Sequence, residues 1–177
     1  MLEGENQIIE RAKKGEAQAF GLLYDHYHER IYRFIFLKVS RKEDAEDLTH
    51  QVFLSAWQNI KNYKELGFPF SSWLYRISRN AVIDFYRSKK IETSLEEVQN
   101  ELSSDEIKTD NIDLKIQIEE VMKALKQLKP DYQDIIIMRF VDDLSVKEIA
   151  KALDKSEGAV KLMQHRAINN LKKILKI

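Results

Sequence analysis

At 177 residues the chain suffices for one ordinary domain or two small ones, and its formal charges cancel to zero. An apolar fraction of 44% excludes a disordered chain, and the absence of cysteine excludes disulfides, thiol chemistry and thiolate zinc sites. The opening MLEGENQIIERAKKG is polar, and no apolar run reaches the roughly 18 residues that span a bilayer. A soluble, cytoplasmic protein without membrane insertion is therefore expected.

Five glycines and two prolines set against plentiful Leu, Ile, Lys and Glu favour helices with short connections. A short helix is expected near 5–14. Apolar positions then recur at helical spacing over 16–38 through Phe20, Leu23, Tyr27, Ile31, Phe34 and Ile35. A further helix follows SRKEDAEDL with Leu48, Val52, Phe53, Ala56, Trp57 and Ile60 inward. KNYKELGFPF reads as a loop, because Gly67 and Pro69 break the periodicity. FSSWLYRISRNAVIDFYR opens a helix from about 70 to 89. ETSLEEVQNELSSDEIKTDN is polar and acidic and reads as a flexible tether.

A second helical unit begins near Leu114, and Pro130 ends its first stripe. DYQDIIIMRFV starts another helix with Asp131 near its positive end. In LSVKEIAKAL, Ser145 and Glu148 have the spacing of a capping box, and Ser156 reads as the N-cap of a last helix to about Ile174. The expected class is all-α: an N-terminal unit over 1–91, an acidic linker over 92–113 and a C-terminal unit over 114–177.

The zero net charge conceals unlike segments. Between 71 and 90, Arg76, Arg79, Arg87, Lys89 and Lys90 face Asp84 alone, a net +4. Between 151 and 177, Lys151, Lys155, Lys161, Arg166, Lys172, Lys173 and Lys176 outweigh Asp154 and Glu157, a net +5. The stretch 92–120 between them carries a net −8. Two basic patches flank an acidic link, so the zero average does not argue against nucleic-acid binding.

The helix beginning at Phe70 has two faces. Phe70, Leu74, Ile77, Ala81 and Phe85 form its core stripe. Trp73, Arg76, Asn80, Asp84 and Arg87 share an adjacent arc of about 80°. Asp84 is spaced to orient both Asn80 and Arg87. One account makes this arc a solvated, salt-bridged face. The other makes it a surface for unpaired bases: arginines hold phosphate, Asn reads a base edge, and Trp73 with Tyr63, Tyr75 or Tyr86 stacks on a base. The helix alone does not decide between them.

LSVKEIAKALDKSEGAVKLMQHRAINNLKK has the layout of a helix-turn-helix: a capped short helix, a tight turn and a longer basic helix. Ala150 is small where the helices cross, and Ile149, Leu153 and Val160 lock them. Ser156, Glu157, Lys161, His165 and Arg166 lie on the outer side. The four histidines lack metal-ligand spacing and read as buried or satisfied surface residues, so no metal or cofactor is expected.

Taken together, these segments resemble a bacterial RNA polymerase sigma factor of the extracytoplasmic function group of the sigma-70 family, over almost the whole chain. DAEDLTHQVFLSAW is similar to region 2.2, KNYKELGFPF with the helix after it to regions 2.3 and 2.4, and the stretch from Leu125 to Lys173 to region 4. The resemblance implies a non-enzymatic subunit that binds core RNA polymerase, recognises promoter −35 and −10 elements and helps to open DNA. By position it assigns core binding to Asp44, Asp47, Leu48 and Phe53, with Leu48 and Phe53 mainly structural. It assigns the −10 element to Asn62, Tyr63, Lys64, Asn80, Asp84 and Arg87, to which the helix reading adds Trp73 and Arg76. It assigns the −35 duplex to Lys161, His165 and Arg166, to which the helix-turn-helix reading adds Ser156, the cap of the recognition helix, as a −35 DNA-binding residue. It also implies an anti-sigma factor as partner.

Five positions, in three places, depart from the family pattern. His50 replaces a customary Gln, and Asp154 replaces a turn glycine at a cost of about 1 kcal/mol. Leu162-Met163-Gln164 removes a customary arginine and moves apolar groups toward the groove. These −35 departures leave open a polymerase-bound protein that has lost initiation activity, and two further rival readings start from the same residues. One is a stand-alone helix-turn-helix regulator on a palindromic operator. The other is a carboxylate metal enzyme built on Glu43, Asp44, Glu46 and Asp47, although acids are favoured at a helix start in any case.

Overall fold

The computed structural model describes residues 2–64, 69–92 and 112–177, apart from the side chains of 90–92 and 112–118. The part of the expected loop at 65–68 and the expected tether between 93 and 111 lie outside the described residues. The elements are α1 (Glu5–Lys13), α2 (Ala17–Val39), α3 (Lys42–Asn59), a 3-10 turn (Ile60–Asn62), α4 (Phe70–Glu92), α5 (Ile112–Lys126), α6 (Pro130–Ile136), α7 (Val146–Leu153) and α8 (Glu157–Leu175). Helix α6 runs on into a π turn over Ile137–Val141.

In the N-terminal unit, α1, α3 and α4 all pack on α2. Leu23, Ile31, Phe34 and Ile35 are fully covered, as the 3.6-residue period requires. Helix α2 stops at Ser40, which adopts a left-handed conformation (φ 67°) and donates its N–H to the Phe36 carbonyl at 2.8 Å. That stop lets α3 turn back and lay Leu48, Val52, Phe53 and Ala56 against α2. Helix α1 closes the open end. The Tyr27 hydroxyl donates to the buried Glu5 carboxylate, and burial together with this bond pushes the phenol pKa far up.

The C-terminal unit follows its capping signals. Ser145 and Glu148 exchange both bonds of the capping box, 3.2 Å and 2.7 Å. Asp154 sits in the left-handed region (φ 53°, ψ 50°), and the Ser156 hydroxyl accepts from the Ala159 N–H at 3.2 Å to start α8. Ile149, Ala150, Leu153 and Val160 are buried between α7 and α8. The helix-turn-helix is present as expected.

One feature was not expected: the two units pack against each other. Helix α4 lies between α3 on one side and α7 on the other. Its buried face is accordingly wider than the predicted stripe. Phe70 and Leu74 are buried as expected, Ile77, Ala81 and Phe85 only partly, while Tyr75, Ser78 and Val82 are almost wholly covered. Ser78 tolerates burial because its hydroxyl donates to the Leu74 carbonyl at 2.8 Å. Tyr75, expected among the stacking residues, is 0% exposed and packs edge-on against Phe34, so it has no face for a base.

Candidate nucleic-acid and polymerase interface

The 3-10 turn after α3 and the first turns of α4 bring Asn62, Tyr63, Lys64, Trp73 and Arg76 onto one cavity of about 220 Å³. These positions are separated in sequence by the loop, and the fold unites them. Tyr63, Phe70 and Trp73 form a triangle of rings with centroids 5.2–5.3 Å apart. Tyr63 is the inner member, 7% exposed, and is a support more than a platform. Trp73 is half-buried, and Asn62, Lys64 and Arg76 are exposed around it.

Further along α4, Asn80, Asp84 and Arg87 line a second groove, opposite Gln51 and Ser55 of α3. Arg87 donates to Asp84 at 3.0 Å, so the carboxylate orients the guanidinium as its spacing predicts. Among the described residues Asp84 makes no bond to Asn80, so the expected orientation of the amide is not made. Gln51 and Ser55 escaped the sequence reading. They are i,i+4 on α3, but only its pairing with α4 identifies the face they share.

The proposed polymerase-binding residues divide. Leu48 (5% exposed) and Phe53 (3%) are core residues, in keeping with a structural role. Asp47 is exposed. Asp44 is turned partly inward, 3.8 Å from Lys89 and 3.9 Å from Arg41. Between α2 and α3 runs an apolar groove lined by Phe20, Tyr24, His50, Phe53, Leu54 and Trp57. Leu54 is 57% exposed, and with Asp47 and His50 it repeats at i, i+3, i+7 on one face of α3. Leu54 was missed because the sequence reading sought inward apolar residues and exposed charge separately.

On α8, Ser156, Lys161, His165 and Arg166 are exposed along the recognition helix. The His165 ring is engaged with the Asn169 amide at 3.0 Å. Leu162 is 50% exposed, so an apolar group does reach the outer face, whereas Met163 packs inward against the core.

Fold and site together define a two-unit helical protein with a helix-turn-helix and a basic, aromatic-lined face. Residues 23–91 match the family model for Sigma-70 region 2, and residues 118–171 match that for Sigma-70 region 4. The chain is 36% identical over 171 residues to the ECF RNA polymerase sigma factor BldN of Streptomyces coelicolor, spanning 96% of this chain but 65% of that protein. It is 30% identical over 170 residues to the ECF RNA polymerase sigma factor SigX of Bacillus subtilis, spanning 90% and 85%. Among solved structures, CnrH in complex with the cytosolic domain of CnrY superposes with a TM-score of 0.75 at 21% identity, covering 97% of each chain. RpoE from Bartonella quintana, solved with the anti-sigma factor NepR, gives 0.72 at 23% identity, covering 91% of this chain and 99% of that one. These two structures share the fold. The chain belongs to the sigma-70 family of RNA polymerase sigma factors, in its extracytoplasmic function group.

Proposed function

We propose that the chain acts in the cytoplasm as a promoter-specificity subunit and catalyses no reaction itself. Residues 1–91 bind core RNA polymerase and the −10 element, 92–113 form the link, and 114–177 bind the −35 element. Core polymerase docks on the α3 face carrying Asp47 and Leu54, with Asp44 at its margin and Leu48 and Phe53 shaping it from beneath. Unpaired −10 bases enter the cavity of Asn62, Lys64, Trp73 and Arg76, backed by Tyr63, and the Asn80–Asp84–Arg87 arc holds the adjoining strand. Lys161, His165 and Arg166 face the −35 duplex. An anti-sigma factor is a further expected partner, by analogy with the NepR complex of RpoE.

The observation that carries this reading is the convergence of loop and α4 residues on one ring-lined cavity that also presents the Asn62 amide and the Lys64 and Arg76 cations. A solvated salt-bridged face has no reason to build a cavity beside a tryptophan. Opening DNA costs a few kcal/mol for each unstacked step, and capture of the released bases offsets it. Run-off transcription on genomic fragments tests the proposal. Discrete transcripts should require both core polymerase and this protein, and transcripts that do not depend on the protein would refute it.

A further inference from the structure

The exposed strip of α8 runs through Gly158, Lys161, Leu162, His165, Arg166 and Asn169. Among the described residues, Leu162 is the only large apolar side chain of this helix left exposed, at 50%. Its neighbours in sequence settle the core instead: Val160 is fully buried and Met163 packs inward. A helical side chain leans toward the N-terminus of its helix, so Leu162 leans over the turn of Gly158. That glycine carries no side chain, and open space surrounds the position its Cβ would take. Leu162 therefore projects uncovered. Lys161 precedes it and Arg166 follows one turn later, neither of them ion-paired among the described residues, while His165 is engaged with the Asn169 amide at 3.0 Å.

A single leucine between two cations is a poor anchor for a protein partner. It belongs to no continuous apolar patch, and its neighbours would have to be desolvated. Duplex DNA meets both features at once. Phosphates receive the cations, and the major groove offers one apolar group, the C5-methyl of thymine. We propose that Leu162 is a specificity-determining residue that reads a thymine methyl in the −35 duplex, close to the guanine that Arg166 engages. This inference rests on the promoter-specificity reading and adds to it the base that this position selects. Spacing limits where that base lies. Four residues of α8 separate Leu162 from Arg166, about 6 Å along the helix axis, against 3.4 Å for each base pair. The thymine, on either strand, should thus fall within about two base pairs of the guanine. The contact makes no hydrogen bond, yet it separates thymine from cytosine, which has no methyl to offer.

Deoxyuridine differs from thymidine by that methyl alone, so replacing each thymine in turn, on both strands of the −35 element, tests the contact one group at a time. The probe is a promoter duplex recovered by run-off transcription, bound by holoenzyme assembled from core polymerase and this protein. At one thymine the replacement should weaken wild-type binding about fourfold, the equivalent of one buried methyl at about 0.8 kcal/mol. Leu162→Ala changes an exposed position and should fold normally. It should bind the thymine duplex less tightly than wild type and be indifferent to deoxyuridine at that position. Leu162→Met keeps the apolar reach and should restore the sensitivity. Sensitivity at no thymine, or equal sensitivity in wild type and Leu162→Ala, would overturn the proposal while leaving the promoter-specificity reading intact. A holoenzyme that yields no transcript dependent on this protein would overturn both.

Discussion

Arg87 is bound to Asp84 one helical turn before it on α4, at 3.0 Å, with both side chains largely exposed. An exposed pair of this kind contributes below about 1 kcal/mol, so stability does not explain its geometry. We expect Asp84→Asn to leave the melting temperature within a degree or two while slowing open-complex formation, because the Arg87 guanidinium loses its fixed direction. Stopped-flow measurement of promoter opening checks this. A variant with the wild-type rate would show that Arg87 works without being oriented.

The polymerase face gives a second prediction. Asp47→Lys and Leu54→Asp alter exposed positions, so each should weaken co-purification with core polymerase while helicity and thermal stability stay unchanged. Asp44→Lys should differ. It places a third cation beside Arg41 and Lys89, and should lower the melting temperature as well. Pull-down yield combined with thermal melts separates the two outcomes.

Lys161 and Arg166 should contribute unequally to −35 recognition. Arg166 carries a planar fork able to engage guanine in two bonds, so Arg166→Ala should cost roughly 1–3 kcal/mol and relax preference at one position. Lys161→Ala should weaken all upstream sequences alike and reduce the salt slope by about 1. A promoter library read against each variant measures both. An unchanged preference in Arg166→Ala assigns base reading elsewhere, with Leu162 against a thymine methyl as the next candidate.

The interface between the two units should respond to pH in a defined direction. Burial raises the Asp142 carboxyl above its ordinary value, opposed in part by Arg33, Tyr75 and Arg30. A carboxyl raised in the folded state contributes stability that is complete below its unfolded-state pKa and is lost as pH rises through the raised value. From the ordinary carboxylate range upward, the stability of the wild type relative to Asp142→Asn should therefore fall as pH rises. Urea melts of both proteins across that range provide the measurement.

What the sequence disclosed and what it withheld follow from the range of the interactions. The helix-turn-helix was legible because Ser145, Glu148, Ser156 and Asp154 act on neighbours within four residues. The core of the N-terminal unit was legible because its apolar positions keep helical time. The contact between units was not. Lys38 and Asp134 are separated by 96 residues, and in a sequence a single lysine or aspartate on a helix looks the same whether water or a counter-charge receives it. Tyr75 failed for the same reason: its helix position borders the stripe, and only the packing of α2 and the second unit on α4 covers it. The site was read in its parts from motif likeness, but the cavity joining Asn62 to Arg76 exists only once the chain between them has turned.

The central claim is that the α4 arc and its cavity hold unpaired −10 bases, and permanganate footprinting of Asn80→Ala tests it most directly. Asn80 is exposed and makes no bond to Asp84, so its truncation should leave the fold intact. On a duplex promoter, thymine reactivity in the −10 region should drop sharply. On a template with that region already unpaired, the unstacking cost has been met and the variant should come close to wild type. Equal defects on both templates, or none on either, would contradict base capture by this helix.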